Sequence, residues 1–91
     1  MGGKMLLKNK VSVVTGGCGG IGEIIALTLA KEGSKLVIVD NNIEEGDKIA
    51  KKIKDVGQEV MIIKTDITDE SQVHDMKEKV LDKFNTYRYI S

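Results

Sequence analysis

A glycine-rich loop at residues 15–22, with the sequence TGGCGGIG, constrains the fold of this chain more than any other feature. It lies between an apolar segment at 11–14 and a segment with helical character at 23–31. Glycine lets an anion approach the backbone N–H groups, and a following helix offers unpaired N–H groups and the positive end of its dipole. A strand, a glycine loop and a helix in this order predict a phosphate-binding loop rather than a flexible linker.

The glycines fit two registers of such a loop. In the first, G-x-G-x-x-G, they are residues 17, 19 and 22, and in the second, T-G-x-x-x-G-x-G, they are residues 16, 20 and 22. Cys18 lies inside the loop with no histidine or other base near it in the sequence. We therefore interpret Cys18 as a small spacer rather than as a nucleophile.

Composition excludes several classes of function. The chain of 91 residues suits one small domain, and its 41% of apolar residues is enough for a core. Lys plus Arg and Asp plus Glu number 14 each, so no net charge attracts nucleic acid or an anionic membrane. The single cysteine excludes an internal disulfide, and no apolar run approaches the ~20 residues of a membrane span. We expect a soluble, cytoplasmic protein with no nucleic-acid or membrane partner.

The rest of the chain alternates apolar runs with helical patterns, which predicts parallel βαβ units with right-handed crossovers. The runs at 10–14, 36–39 and 60–63 predict three strands, and the run at 36–39, uninterrupted by polar residues, predicts a strand that is covered on both faces. The first helix is so apolar that we expect both of its flanks to be largely covered. Three helices are predicted. The first spans 23–32, with Gly33 placed to end it, and the second opens at Asn41 and Asn42 and is closed by Gly57. The third is capped at its start by Thr68.

Two carboxylates follow predicted strands. Asp40 comes 18 residues after Gly22, where a carboxylate accepts hydrogen bonds from the adenosine ribose of NAD. It would repel the 2′-phosphate of NADP, and no Arg or Lys occurs at 41–43, so NAD is favoured over NADP. Asp66 could accept from the adenine amino group while Ile67 lines the ring. A purely local role as a turn or cap residue stays open for both aspartates.

These residues, in this order and spacing, resemble the short-chain dehydrogenase/reductase family over residues 8 to about 85. The resemblance implies a Rossmann fold and an oxidoreductase family, with nicotinamide dinucleotide as the cofactor. It assigns the pyrophosphate to the loop and the start of the first helix, the ribose to Asp40, and the adenine to Asp66 with Ile67. The predicted cofactor-binding set is Gly16, Cys18, Gly20, Ile21, Gly22, Asp40, Asn41, Asp66 and Ile67.

The sequence departs from that family after residue 85. The Asn-Asn-Ala-Gly motif, the catalytic Asn and Ser, and a Tyr-x-x-x-Lys pair are absent, and neither Tyr87 nor Tyr89 has a Lys four residues later. Members of the family usually continue after the third helix with a segment such as Ile-Asp-Ile-Leu-Val-Asn-Asn. When A/T-rich codons are chosen for Thr-Ile-Asp-Ile-Leu-Val-Asn, inserting one base after the Thr codon yields the tail at 86–91 and a stop codon. We therefore hypothesise that the chain is a frameshifted remnant of a full dehydrogenase. We predict one truncated dinucleotide-binding domain over 1–91, a partial Rossmann fold with three parallel strands, a short fourth at 87–90, and helices on both faces.

Three functional hypotheses remain. The chain is an NAD-binding half domain without turnover of its own, an enzyme subunit completed by a second chain, or a structural and oligomerising remnant that no longer binds nucleotide. Whether it is an enzyme by itself stays open, and no metal site or catalytic residue is visible. We also expect an exposed sheet edge and an exposed apolar helix surface on the side of the fourth strand. Through that side we predict a homodimer or higher oligomer.

Overall fold

Strands and helices alternate without exception in the computed structural model, which describes residues 10–84 and 88–90. The elements are β1 Val11–Thr15, α1 Gly20–Lys31, β2 Lys35–Asp40, α2 Gly46–Asp55, β3 Val60–Lys64, α3 Glu70–Phe84 and β4 Arg88–Ile90. The strands form one sheet in the order β3-β2-β1-β4, and each neighbouring pair is parallel. The predicted α/β architecture of Rossmann type is confirmed.

Strands β1 and β2 are buried on both faces, as the uninterrupted apolar run at 36–39 predicted, whereas β3 is only partly buried. Successive side chains of a strand point to opposite faces, so β1, β2 and β3 each contribute side chains to two separate cores. The core on the α3 side contains Val11, Val13, Val37, Val39, Ile63, Met76 and Val80. The core on the side of α1 and α2 contains Val14, Ala26, Ala30, Leu36, Ile38, Ile49 and Ile53.

Helix α1 rests on the sheet through small residues. Gly22, Ala26 and Ala30 are buried at intervals of four, so the helix backbone lies close to the strands. The side chains of Ile21 and Ile24 point away from that contact and are 78% and 67% exposed. The expectation that both flanks of this helix are largely covered is therefore wrong. Apolar composition showed that the helix has more than one apolar face, but not that a neighbour covers each one.

Helix α2 begins later than predicted, at Gly46 rather than at Asn41 and Asn42. The Asp40 side chain accepts the N–H of Asn42 at 3.0 Å, and the Asn42 side chain accepts the N–H of Glu44 at 3.0 Å. These two side-chain turns compete with helical hydrogen bonds and hold residues 40–44 outside the helix.

Helix α3 is capped by Asp69 rather than by Thr68. The Asp69 carboxylate accepts the N–H groups of Ser71 and Gln72 at 3.0 and 3.4 Å, as a residue just before a helix does. Thr68 is engaged elsewhere, because its hydroxyl and its N–H both donate to Asp66. The predicted ends at Gly33 and Gly57 are confirmed, with φ angles of +99° and +91° that glycine tolerates.

Strand β4 lies at the outer edge of the sheet and pairs with β1, with Ser12 opposite Arg88 and Val14 opposite Ile90. A short fourth strand in this place is confirmed for residues 88–90, whereas residues 85–87 and 91 of the predicted tail lie outside the described residues. In the part of the chain that the structure describes, no helix is both long and apolar enough to cross a membrane.

Candidate functional site

The loops after β1, β2 and β3 meet at one edge of the sheet, the edge formed by the carboxyl ends of these strands. The N–H of Gly16 donates to the carbonyl of Val39 at 2.7 Å, and the N–H of Thr65 donates to the carbonyl of Asp40 at 2.9 Å. The loops after β1 and β3 are therefore both fixed to the end of β2, the strand between them. In open α/β sheets this edge is where ligands bind.

The glycines of the first loop serve different physical needs. Gly16 has a φ angle of +70°, a conformation that favours glycine. A Cβ on Gly22 would lie 2.1 Å from the Gly16 carbonyl oxygen, so only glycine lets α1 approach the loop. A Cβ on Gly17 would lie 2.6 Å from the Ile38 side chain, whereas a Cβ on Gly20 would meet nothing within 4 Å. The space in front of Gly20 is therefore open to a ligand.

The first turn of α1 has N–H groups without acceptors in the described part of the chain. Gly19 precedes the helix and provides no side-chain cap, and its carbonyl accepts the N–H of Glu23. Among the residues that the structure describes, the N–H groups of Gly20, Ile21 and Gly22 have no acceptor. Glu23 is paired with Lys52 of α2, so this turn carries little uncompensated negative charge. A helix start of this kind attracts an anion.

Asp40 connects the glycine loop to the segment after β2. One carboxylate oxygen accepts the N–H of Cys18 at 3.1 Å, and the other accepts the N–H of Asn42 at 3.0 Å. The carboxylate is thereby held in one orientation with lone pairs left over for further donors. Burial and the negative charges of Asp40 and Glu45 raise the pKa of the Cys18 thiol, which disfavours the thiolate form that a nucleophile needs.

Asp66 is held by the residues that follow it. Its Oδ1 accepts the hydroxyl of Thr68 at 2.6 Å and the N–H of Thr68 at 3.0 Å. These hydrogen bonds stabilise the charged form and lower the pKa of Asp66 below its usual value. Ile67, the next residue, has a side chain that is 57% exposed. The loop therefore presents an ionised carboxylate beside an exposed apolar surface.

Two clefts open on either side of Asp40. The loop cleft, of about 260 Å³, is lined by Gly16, Val39, Asp40, Asn41, Thr65, Asp66 and Ile67. The acidic cleft, of about 240 Å³, is lined by Cys18, Gly19, Asp40, Asn42, Glu44 and Glu45. The structure thus brings five predicted site residues together in the loop cleft, and Cys18 with Asp40 in the acidic cleft. The remaining three, Gly20, Ile21 and Gly22, form the first turn of α1 beside them.

Comparison with known proteins decides the family. A family model described as short chain dehydrogenase matches residues 10–89. The chain belongs to the short-chain dehydrogenase family. An uncharacterized oxidoreductase of Listeria innocua is 36% identical over 80 residues, which make up 88% of this chain and 32% of that protein.

Solved structures of short-chain dehydrogenases have the same fold. The citronellol catabolism dehydrogenase of Pseudomonas aeruginosa matches with a TM-score of 0.88 at 30% identity, over 94% of this chain and 36% of that one. A structure of NAD⁺-bound xylitol dehydrogenase matches with a TM-score of 0.85 at 32% identity, over 89% of this chain and 31% of that one. This chain therefore spans about a third of the length of these relatives and corresponds to the N-terminal region of the family, whose cofactors are nicotinamide dinucleotides.

The sequence reasoning missed several residues of this short-chain dehydrogenase site. Asn42, Glu44 and Glu45 line the acidic cleft, although the sequence placed them in or next to a helix. The spacing of Asp40, Asn42 and Glu44 could have indicated that this segment is a turn. An Asp or Asn side chain that accepts the backbone N–H of the residue two positions later keeps the chain out of a helix. Within the described residues, no group of three or more His, Cys, Asp or Glu is arranged to bind a metal ion.

Proposed function

We propose that this chain binds NAD at the carboxyl edge of its sheet and does not turn over a substrate by itself. The observation that carries the proposal is the position of the Asp40 carboxylate. It is hydrogen-bonded to the glycine loop through Cys18, and it also lines the cleft formed by the β3–α3 loop, residues 65–69. One acidic group therefore stands between a phosphate-binding loop and a cleft for a base, where the ribose of a dinucleotide would lie.

The pyrophosphate fits the first turn of α1. The N–H groups of Gly20, Ile21 and Gly22 have no acceptor among the described residues, and the space in front of Gly20 is free. Phosphate oxygens could approach these groups to hydrogen-bond distance and interact with the positive end of the helix. Gly16 and Gly22 hold the loop in the shape that this approach requires.

The adenosine fits the loop cleft. The carboxylate of Asp40 and the backbone of Asn41 line the side that would face the ribose, and Asp66 and Ile67 line the side that would face the adenine. Oδ1 of Asp66 is already occupied by Thr68, which leaves Oδ2 for an amino group. The exposed Ile67 side chain offers an apolar surface to the ring.

The acidic cleft supports NAD rather than NADP as the cofactor. A 2′-phosphate on a ribose bound by Asp40 would point toward Asp40, Glu44 and Glu45, and the cleft is lined by no basic residue. Burial raises the pKa of the Cys18 thiol most, and the negative charges of Asp40 and Glu45, which act inside this cleft, raise it further. A dianionic phosphate would experience the same repulsion.

Calorimetric titration of the 91-residue chain with NAD⁺ and with NADP⁺ tests this proposal. We expect binding of one NAD⁺ per chain, and at least roughly tenfold weaker binding of NADP⁺, since unfavourable charge contacts of this kind cost about 1–2 kcal/mol. A titration with NAD⁺ that releases no heat, together with no rise in Tm at millimolar NAD⁺, would contradict the proposal.

The charge variant Glu45→Gln refines that test. It should strengthen NADP⁺ binding by roughly threefold and leave NAD⁺ binding unchanged, because only one charge beside the 2′ position is removed. Glu59→Gln is the matched control, since Glu59 lies just before β3, where it pairs with Lys35 at the opposite edge of the sheet. Equal effects of the two variants would mean that the acidic cleft does not face the 2′ position.

The oxidoreductase reaction of the relatives is not proposed for this chain alone. The sequence of 91 residues contains no Tyr-x-x-x-Lys pair, and the chain spans about a third of the relatives it matches. We infer that any turnover requires residues supplied by further polypeptide. Cofactor binding is the part of the family's chemistry that this chain has the groups to perform.

Assembly with a second copy is a separate proposal, favoured by the exposed Ile21 and Ile24 of α1. Among the described residues, the outer edge of β4 has no neighbouring strand, so it can pair with the same edge of another copy around a two-fold axis. The absence of net charge leaves no long-range repulsion between copies. We expect a dimer in sedimentation velocity at tens of micromolar, and a shift toward monomer in Ile24→Lys. A wild-type chain that sediments as a monomer at this concentration would rule the proposal out.

A further inference from the structure

Gln72 in the first turn of α3 joins the helix to the β3–α3 loop. Its side-chain oxygen Oε1 accepts the N–H of Asp66 at 2.9 Å, and its Nε2 donates to Oδ2 of Asp69 at 3.2 Å. Because one end of the amide faces a donor and the other faces a carboxylate, only one orientation of the amide satisfies both. The capping residue Asp69 also donates its own N–H to the carbonyl of Asp66 at 3.0 Å, which closes the network.

The network decides which groups of the loop remain available to a ligand. The N–H of Asp66 is taken by Gln72, and Oδ1 of Asp66 is taken by Thr68. Among the described residues, Oδ2 of Asp66 and the N–H of Ile67 have no hydrogen-bond partner. The loop therefore presents one acceptor and one donor on adjacent residues, beside the loop cleft.

An adenine edge matches this pair, because its amino group donates and its neighbouring ring nitrogen accepts. Hypoxanthine differs at both atoms, since a carbonyl replaces the amino group and the ring nitrogen carries a proton. Preference for adenine thus depends on how firmly the loop holds Asp66 and Ile67 in place. Gln72 is not among the residues that line the cleft.

We propose that Gln72 is a positioning residue for the base, and that the adenine preference of the site depends on this side chain although it does not touch the nucleotide. The proposal rests on the NAD site described above. It assigns to Gln72 the task of holding the Asp66 backbone, so that Oδ2 of Asp66 and the N–H of Ile67 keep their relative positions. Loss of the two Gln72 hydrogen bonds should weaken the recognition of adenine more than the binding of the rest of the dinucleotide.

The test compares Gln72→Met with Ser71→Ala, using NAD⁺ and nicotinamide hypoxanthine dinucleotide as ligands. Methionine keeps the length and helix propensity of glutamine but forms neither hydrogen bond. We expect Gln72→Met to weaken NAD⁺ binding by roughly fivefold and to leave the hypoxanthine analogue within about twofold, so that the preference for adenine shrinks. Ser71 lies beside Gln72, its side chain makes no hydrogen bond within the described residues, and its alanine variant should leave both affinities unchanged.

The ratio of the two affinities separates positioning from general damage. If Gln72→Met weakens both ligands equally, or neither, the positioning role is wrong while the NAD site stands. If the wild-type chain binds no NAD⁺, the proposed function fails and this inference fails with it. Amide hydrogen exchange without ligand gives a second measure, since the N–H of Asp66 should exchange faster in Gln72→Met and at the wild-type rate in Ser71→Ala.

Discussion

Replacing Gly22 by alanine is expected to destabilise the fold by about 3 kcal/mol, near the upper end for overpacking of a well-packed site. The new Cβ would lie 2.1 Å from the carbonyl oxygen of Gly16 and 2.7 Å from the Cα of Gly17. Both are backbone atoms, so no side-chain rotation relieves the contact, and α1 must move away from the loop. A domain of this size has a total stability of roughly 5–14 kcal/mol, so this loss is a large part of it.

Urea unfolding followed by circular dichroism measures this effect. The midpoint of Gly22→Ala should fall by roughly 1–3 M, or the variant should already be unfolded without urea. Gly20→Ala is the matched control, because a Cβ at Gly20 meets nothing within 4 Å and Gly20 is not among the glycines with positive φ. A Gly22→Ala chain with the midpoint of the wild type would mean that α1 does not lie as close to the loop as the structure has it.

The sequence could predict the order of elements because β1, β2 and β3 each contain a mainly apolar run and the connections between elements are short. It also placed Asp40 correctly at the end of β2 and Asp66 correctly just after β3, and parallel strands bring these positions to one edge of a sheet. The glycine pattern predicted the loop between β1 and α1. It did not distinguish the steric need at Gly22 from the open space at Gly20, because both residues look the same in a pattern.

The start of each later helix could not be predicted from cap preferences alone. Asn42, Thr68 and Asp69 are all residue types that favour a position just before a helix. In the structure Asn42 and Thr68 hydrogen-bond within side-chain turns that begin at Asp40 and Asp66. The choice between a cap and a turn depends on these competing partners. The acidic cleft and Gln72 were missed for this reason.

The exposure of Ile21 and Ile24 marks a different limit of sequence reasoning. Periodicity shows which face of a helix is apolar, and it was right that α1 has apolar residues on several sides. It does not show how many faces find a neighbour in a given chain. Gly22, Ala26 and Ala30 face the sheet, whereas Ile21 and Ile24 face solvent in the described part of the chain.

Replacing Gly20 by alanine is expected to abolish most NAD binding without a loss of stability. The methyl group would occupy the open space in front of the first helical turn, where a phosphate oxygen must come within ~3 Å of the backbone N–H groups. We expect NAD⁺ affinity to fall by roughly thirtyfold, equivalent to about 2 kcal/mol. The free energy of unfolding should stay the same or rise by about 0.5–1 kcal/mol, because alanine restricts the unfolded chain and favours the helix.

Gly19→Ala is the control that decides between the two glycine registers. The N–H of Gly19 donates to the Gly16 carbonyl and its own carbonyl accepts the N–H of Glu23, so both of its backbone groups are used inside the loop. A Cβ on Gly19 would approach no atom closer than 3.7 Å. We therefore expect titration of Gly19→Ala with NAD⁺ to give an affinity close to that of the wild type, as the register T-G-x-x-x-G-x-G implies.

If Gly19→Ala loses binding and Gly20→Ala keeps it, the register G-x-G-x-x-G describes the phosphate contact instead. If both variants bind NAD⁺ like the wild type, the pyrophosphate does not approach this loop, and the first turn of α1 is not its site.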